Sequence, residues 1–144
     1  MIIGQYLHTL DDKNRLSFPA KFRKEVGKTV IITPGLDQCL FVFTTKEWAA
    51  ISARLSESSL LQADNRSFHR YLFGGAVEVS FDTLGRVLIP DFLKEKAGLQ
   101  GKVAIIGVHN RIELWDTGTW DKYKRDIEGR ADALAEKLGS VGAL

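Results

Sequence analysis

The chain has 144 residues, the size of one domain or of two small units sharing a core, and its 44% hydrophobic and 26% charged residues are those of an ordinary globular protein. No apolar run approaches the roughly 20 residues of a membrane span, residues 1–5 show no basic-then-apolar leader pattern, and Cys39, the single cysteine, excludes an intrachain disulfide and fits a reducing cytoplasm. The net charge of +2 is too small to announce a polyanionic partner, yet residues 1–30 carry six basic side chains against three acidic ones.

The elements follow one another in a short rhythm. A strand at 5–10 leads to a polar loop at 11–14 and a second strand at 15–18, which Pro19 ends because proline cannot donate to a ladder. A short helix at 20–26 closes on Gly27. Apolar strands follow at 29–33 and 40–43, joined through the turn signal Pro34-Gly35. Thr44 and Glu47 form a capping-box pattern, and Trp48, Ile51 and Leu55 share one face of the helix that follows. The segment 56–75 predicts a linking helix with Phe68, Tyr71 and Leu72 inward, stopped by Gly74-Gly75.

From residue 76 the rhythm repeats. Val77, Val79 and Phe81 alternate with Glu78 and Ser80, the period of a half-buried strand. A loop at 82–85, a strand at 86–89, Pro90, a helix at 91–97, Gly98 and strands at 103–106 and 112–115 complete the second copy. Trp120, Tyr123, Ile127, Ala131, Leu134 and Leu138 then mark one amphipathic helix. Asp11 maps to Asp82, Arg15 to Arg86, Pro19 to Pro90 and Gly27 to Gly98 at an offset of 71 residues. A single one-residue step then places Gly35 on Gly107, Phe43 on Trp115 and Trp48 on Trp120. A series of this length, in order, is a duplication.

Both loops carry Asp-x-x-x-Arg. An Asp opening a tight loop accepts backbone N–H bonds from residues further along and fixes the turn. The Arg four places later is then presented from a rigid base, and its planar fork suits a phosphate or the O6/N7 edge of guanine. The same pair also suits a plain salt bridge that steadies a hairpin.

The stretches Leu10-Asp11-Asp12-Lys13-Asn14-Arg15-Leu16-Ser17-Phe18-Pro19 and Gly85-Arg86-Val87-Leu88-Ile89-Pro90, with Ile106-Gly107, Glu113-Leu114-Trp115 and Tyr71-Leu72-Phe73-Gly74-Gly75-Ala76, resemble the two halves of the MraZ family. The resemblance runs from Gly4 to about residue 125. It implies a mainly β fold with peripheral helices, in which two tandem AbrB-like (SpoVT-AbrB) swapped-hairpin units, at 5–47 and 76–119, form one double-split β-barrel. Residues 48–75 would be a helical linker and 120–144 a C-terminal helix and tail. It also implies a transcriptional regulator, acting as a repressor on direct repeats of double-stranded DNA upstream of its own cell-division and cell-wall gene cluster. Such a protein assembles into rings and works in the cytoplasm at the nucleoid, with no membrane partner. Asp11, Lys13, Arg15, Asp82 and Arg86 would form the DNA-contacting loops, and Lys21, Arg23 and Lys24 would add cations on the first helix.

Other chemistry finds little footing. His8, His69 and His109 are scattered without metal-ligand spacing and read as structural, so no metal or cofactor is expected. There is no nucleophile motif and no phosphate-binding glycine loop, which sets an enzyme well behind. The competing reading is an antitoxin-like module whose loops bind protein. By neighbours in sequence, Arg15 sits among Lys13, Lys21, Arg23 and Lys24, whereas Arg86 sits near Asp82, Asp91 and Glu95, with Lys94 and Lys96 as the only nearby cations. The first loop is therefore expected to lie in the more positive field.

Overall fold

The computed structural model describes residues 1–143. Among them the chain forms eight strands and six helices: β1 (Ile2–Thr9), β2 (Arg15–Ser17), α1 (Ala20–Val26), β3 (Thr29–Pro34), β4 (Leu40–Thr44), α2 (Thr45–Ser56), α3 (Ala63–Gly74), β5 (Val77–Ser80), β6 (Arg86–Leu88), α4 (Asp91–Ala97), β7 (Lys102–His109), β8 (Ile112–Asp116), α5 (Thr117–Gly129) and α6 (Ala131–Ser140). The strands make a six-stranded antiparallel sheet, ordered β1-β7-β8-β4-β3-β5, and a separate β2-β6 ribbon.

That order shows how the copies are interleaved. The first strand of each copy leaves its own unit: β1 pairs with β7, and β5 pairs with β3. Exchanging every element for its counterpart turns the sheet order into its own reverse, so the chain has an internal pseudo-two-fold axis. Leu16↔Val87 in the ribbon and Phe41↔Glu113 in the β4–β8 pair are the central cross-strand couples. The ladders do not run on from ribbon to sheet, so among the described residues the strands enclose the core without closing one continuous barrel.

The ladders also correct the alignment of the repeats. Thr29↔Ser80 and Thr9↔Lys102 are equivalent pairings, so Thr29 corresponds to Lys102, and Pro34, not Gly35, corresponds to Gly107. Where the first unit has only Lys28 between Gly27 and Thr29, the second has Leu99-Gln100-Gly101. The longer connection lets Leu99 reach the core, where it is buried. The next turn is one residue shorter in the second unit, which restores the offset of 72 in β4 and β8.

The main core lies between the sheet and the ribbon. Leu16, Phe18, Phe22, Val30, Ile32, Leu40 and Val42 meet Val87, Ile89, Leu93, Val103, Ile105, Ile112 and Leu114, seven residues from each copy. The other face of the sheet is covered by helices. Trp115 packs against Trp120 at 5.3 Å and Tyr123 at 4.9 Å between ring centroids, enclosing Cys39 in a second cluster. Burial pushes the Cys39 thiol up, well away from reactivity. On the first unit Phe43, Trp48 and Phe73 form the corresponding aromatic contact.

Glu113 is the buried charge near the axis. It accepts from Trp115 Nε1 at 3.0 Å and pairs with Arg111 at 2.8 Å, while the guanidinium of Arg111 lies 4.8 Å from the Phe41 ring centre.

Two helical expectations change in detail and one holds. The C-terminal helix is two helices, broken at Arg130 (φ −116°, ψ 7°) just after Gly129, a residue of low helix propensity. Leu72 is buried as expected and Tyr71 is half-buried, donating its hydroxyl to Gly35 O, but Phe68 is 37% exposed because it lines a surface groove with Ile51 and Leu55. The Thr44 hydroxyl does cap α2, accepting from Glu47 N at 3.0 Å.

Leu16 is fully buried on the ribbon, beside the axis. Leu16→Ala is expected to destabilise the protein by about 2–5 kcal/mol through a cavity that the ribbon cannot collapse into. Chemical denaturation with an unchanged slope and a lowered midpoint would show this.

Candidate nucleic-acid interface

The two loops are near-identical devices. The Oδ1 of Asp11 accepts the N–H of Lys13 at 2.9 Å and of Arg15 at 2.8 Å, while Oδ2 accepts Arg15 Nε at 2.8 Å. Asp82 treats Leu84, Arg86 and the Nε of Arg86 in the same way, at 2.9, 2.9 and 2.8 Å. Backbone bonds Asn14 N–H to Asp11 O and Asp11 N–H to Arg15 O close the first loop, and Gly85 and Asp82 close the second. The fourth loop residue is left-handed in both, Asn14 at φ 59° and Gly85 at φ 76°. Asn and Gly are the residues that tolerate this conformation, which explains why those types stand there.

The salt bridge and the presented arginine are therefore the same object. Asp holds the inner nitrogen of the guanidinium, and the outer two nitrogens of Arg15 and Arg86 have no hydrogen-bond partner among the described residues. Their direction follows from the ribbon register. Leu16 and Val87 face the core, so their neighbours face away from it, and Arg15 pairs Leu88 while Ser17 pairs Arg86. Both arginines thus leave the same outward face. Two residues along a strand and one strand across set their Cα atoms roughly 8 Å apart.

The helices sit where sequence order does not put them. Each packs against the other unit's loop. Asn14 of the first loop donates to Asp91 Oδ1 at 2.7 Å and accepts from Lys94 Nζ at 3.1 Å, both on α4. Arg23 on α1 lies over Gly85 of the second loop, so closely that a Cβ there would come within 2.0 Å of its Nη1. Lys94 and Arg23 are repeat equivalents. The expected asymmetry is therefore not what the fold builds: Arg23 is beside the second loop, together with Lys28, while the first loop has Asp91 and Lys94 as neighbours. Lys21 and Lys24 are exposed on the same α1, and Lys13 is exposed at the tip of the first loop.

Sequence order alone did not mark Asn14, Lys28 or Leu84 as part of this surface, and it set Asp91 and Lys94 beside Arg86 rather than beside the first loop. Leu84 is the repeat equivalent of Lys13 and is 66% exposed. The signal was present in the duplication itself, since a swapped first strand brings each loop to the partner unit's helix.

The comparisons bear on the same two-unit plan. The family model of the MraZ protein, whose description likens the family to antitoxins, matches residues 1–71 and again 72–139. The chain is 44% identical over 138 residues to the transcriptional regulator MraZ of Moorella thermoacetica, covering 96% of each chain. It is 43% identical over 142 residues to that of Acetivibrio thermocellus, covering 99% of each.

The chain belongs to the MraZ family.

The two matched stretches divide this MraZ-family chain within α3, just ahead of β5, and each carries one Asp-x-x-x-Arg loop. Among the described residues no helix is long and apolar enough to cross a membrane.

The carboxylates of Asp11 and Asp82 are held below the ordinary aspartate value of 3.8, foremost by the backbone N–H of Arg15 or Arg86, with partial desolvation opposing and the guanidinium adding to the effect. Since the folded value is depressed, the clamp's contribution is complete above 3.8 and is lost as pH falls through the lowered value. Carboxyl-carbon NMR titration is expected to give midpoints below 3.8 for both aspartates, and Arg15→Ala should move that of Asp11 upward.

Proposed function

We propose that the chain is a sequence-specific double-stranded DNA-binding transcriptional regulator whose β2–β6 ribbon reads the major groove. The observation that carries this is the pair of outward guanidiniums, each fixed by its own aspartate through Nε and free at its outer nitrogens. A two-stranded ribbon fits a major groove about 12 Å wide, and an arginine fork matches guanine O6 and N7. A separation of roughly 8 Å spans two to three base pairs at about 3.4 Å each. In this assignment Arg15 and Arg86 read base edges, Asp11 and Asp82 orient them, and Lys13, Lys21, Arg23 and Lys24 meet phosphates.

The name carried by the relatives supports a regulatory role, and the family resemblance extends it: repression at direct repeats in the promoter of the chain's own cell-division and cell-wall gene cluster, at the nucleoid in the cytoplasm. A ring of copies belongs to the same proposal. Ile127, Ala131, Leu134 and Leu138 line a shallow apolar groove along α5 and α6, with Leu138 48% exposed. A second copy covering that stripe in a head-to-tail contact that closes would make the ring.

The exposed Leu84 and Leu88, beside the arginines, favour the protein-binding alternative. Salt separates the two. DNA affinity is expected to fall with log salt at a slope of about −0.9 per engaged phosphate, whereas an apolar protein contact would change little.

Arg15→Ala and Arg86→Ala are each expected to cost roughly 1–3 kcal/mol of DNA binding per engaged loop and to relax sequence preference. Neither leaves a core cavity, so melting temperatures should stay close to wild type. Gel shifts on the promoter fragment check this, and near-wild-type binding by both folded variants would remove the assignment.

A further inference from the structure

The two halves of the proposed reading face are not equal, and the difference lies in what the opposite helix brings to each loop. The first loop holds Asp11, Asp12, Lys13 and Arg15, and the second unit adds Asp91, Lys94 and Lys102, so four cations face three carboxylates. Lys94 is already engaged by Asn14, the residue that also binds Asp91. The second loop holds Asp82 and Arg86, with Thr83 and Leu84 at its tip, and the first unit adds Arg23 and Lys28, so three cations face one carboxylate. That carboxylate is committed to Arg86 and the loop amides.

Arg23 itself is unusual. Among the described residues it has no acidic partner, and its Nε is shielded from solvent without any hydrogen-bond acceptor. Its guanidinium lies on the bare Cα of Gly85, a position where any side chain would displace it. It borders an open cleft of about 590 Å³ shared with Lys28, Thr29, Ser80, Asp82 and Gly85. The hydroxyls of Thr29 and Ser80 stand 3.1 Å apart on its wall and add neutral donors. In the first half, the place of Lys28 is taken by Gly101, as the bonds from Phe81 N to Lys28 O and from Leu10 N to Gly101 O show. The cations of the first half are placed differently: Lys94 is bound to Asn14, and Lys102 stands where Thr29 does in the second.

We infer that Arg23 and Lys28 form a seat for one DNA-backbone phosphate beside the second loop, and that this seat makes Arg86 the dominant reader of the two arginines. The inference rests on the DNA-reading proposal above and adds a positioning pair to it. A phosphate held there fixes where the strand passes Asp82–Arg86, so the Arg86 fork meets its base edge in one register. At the first loop Asp12 and Asp91 offset the cations, and Lys94 is tied to Asn14, so the anchor is weaker.

The test is fluorescence anisotropy of the full chain on a promoter fragment at several salt concentrations, with melts in parallel. The variants are Arg23→Gln, Arg23→Lys, Lys28→Gln, Lys94→Gln, Arg15→Ala and Arg86→Ala. Arg23→Gln is expected to weaken binding at least tenfold and to reduce the salt slope by about 0.9, the loss of one phosphate contact. Lys28→Gln, at an exposed position that cannot threaten folding, should lower the slope in the same direction. Arg23→Lys should recover part of the affinity, Lys94→Gln should change it less than threefold, and Arg86→Ala should lose more than Arg15→Ala. Equal losses for Arg23→Gln and Lys94→Gln, or an unchanged slope for both Arg23→Gln and Lys28→Gln, would overturn the seat while leaving DNA reading intact. A wild-type chain that does not bind the fragment would overturn the reading itself.

Discussion

The exchange of first strands between the two copies is the constraint on which the rest of the molecule depends. Neither β1 nor β5 pairs within its own unit, so neither copy can complete its share of the sheet alone. Each half contributes buried side chains to the same core, and the largest fully buried residues come from both. At this chain length a single shared core buries a larger fraction of surface than two separate small ones would. The exchange also forces β2 and β6 together as a ribbon, because each follows a strand that has crossed over. The ribbon lids the core with Leu16 and Val87, and the same two-residue alternation that buries them turns Arg15 and Arg86 outward.

Precision at the loops comes from local hydrogen bonds rather than from packing. Each aspartate organises two amides and a guanidinium within five residues, so the arginine does not search its many rotamers for a ligand. An ion pair this exposed contributes little to stability. In the proposed function its value lies in lowering the ordering cost of a side chain that is to meet DNA. The opposite helices finish the site, Asn14 being held by Asp91 and Lys94 and Gly85 being covered by Arg23.

Most of this was legible in the sequence as a set of elements. The strands, the proline stops, the glycine caps and the two loops stand near their expected places because each has a local cause. What sequence order could not supply was pairing. Lys13, Arg15, Arg23 and Lys24 are close in number, yet Arg23 belongs spatially to Gly85, and the asymmetry inferred from neighbours is not the one the fold builds. The repeat alignment slipped for a related reason: Leu99-Gln100-Gly101 replaces Lys28, and only the ladders reveal where the extra residues fall. The split at Arg130 was hidden by an apolar period that continues through it, since Ile127 and Ala131 keep their spacing across the break.

The claim that interleaving places both loops on one binding face is tested most directly by hydrogen–deuterium exchange of the full chain with and without promoter DNA. The structure predicts protection in peptides spanning 10–28 and 80–94 together, one set from each copy, with α3 unaffected. Protection confined to a single copy, or to the helices alone, would contradict it.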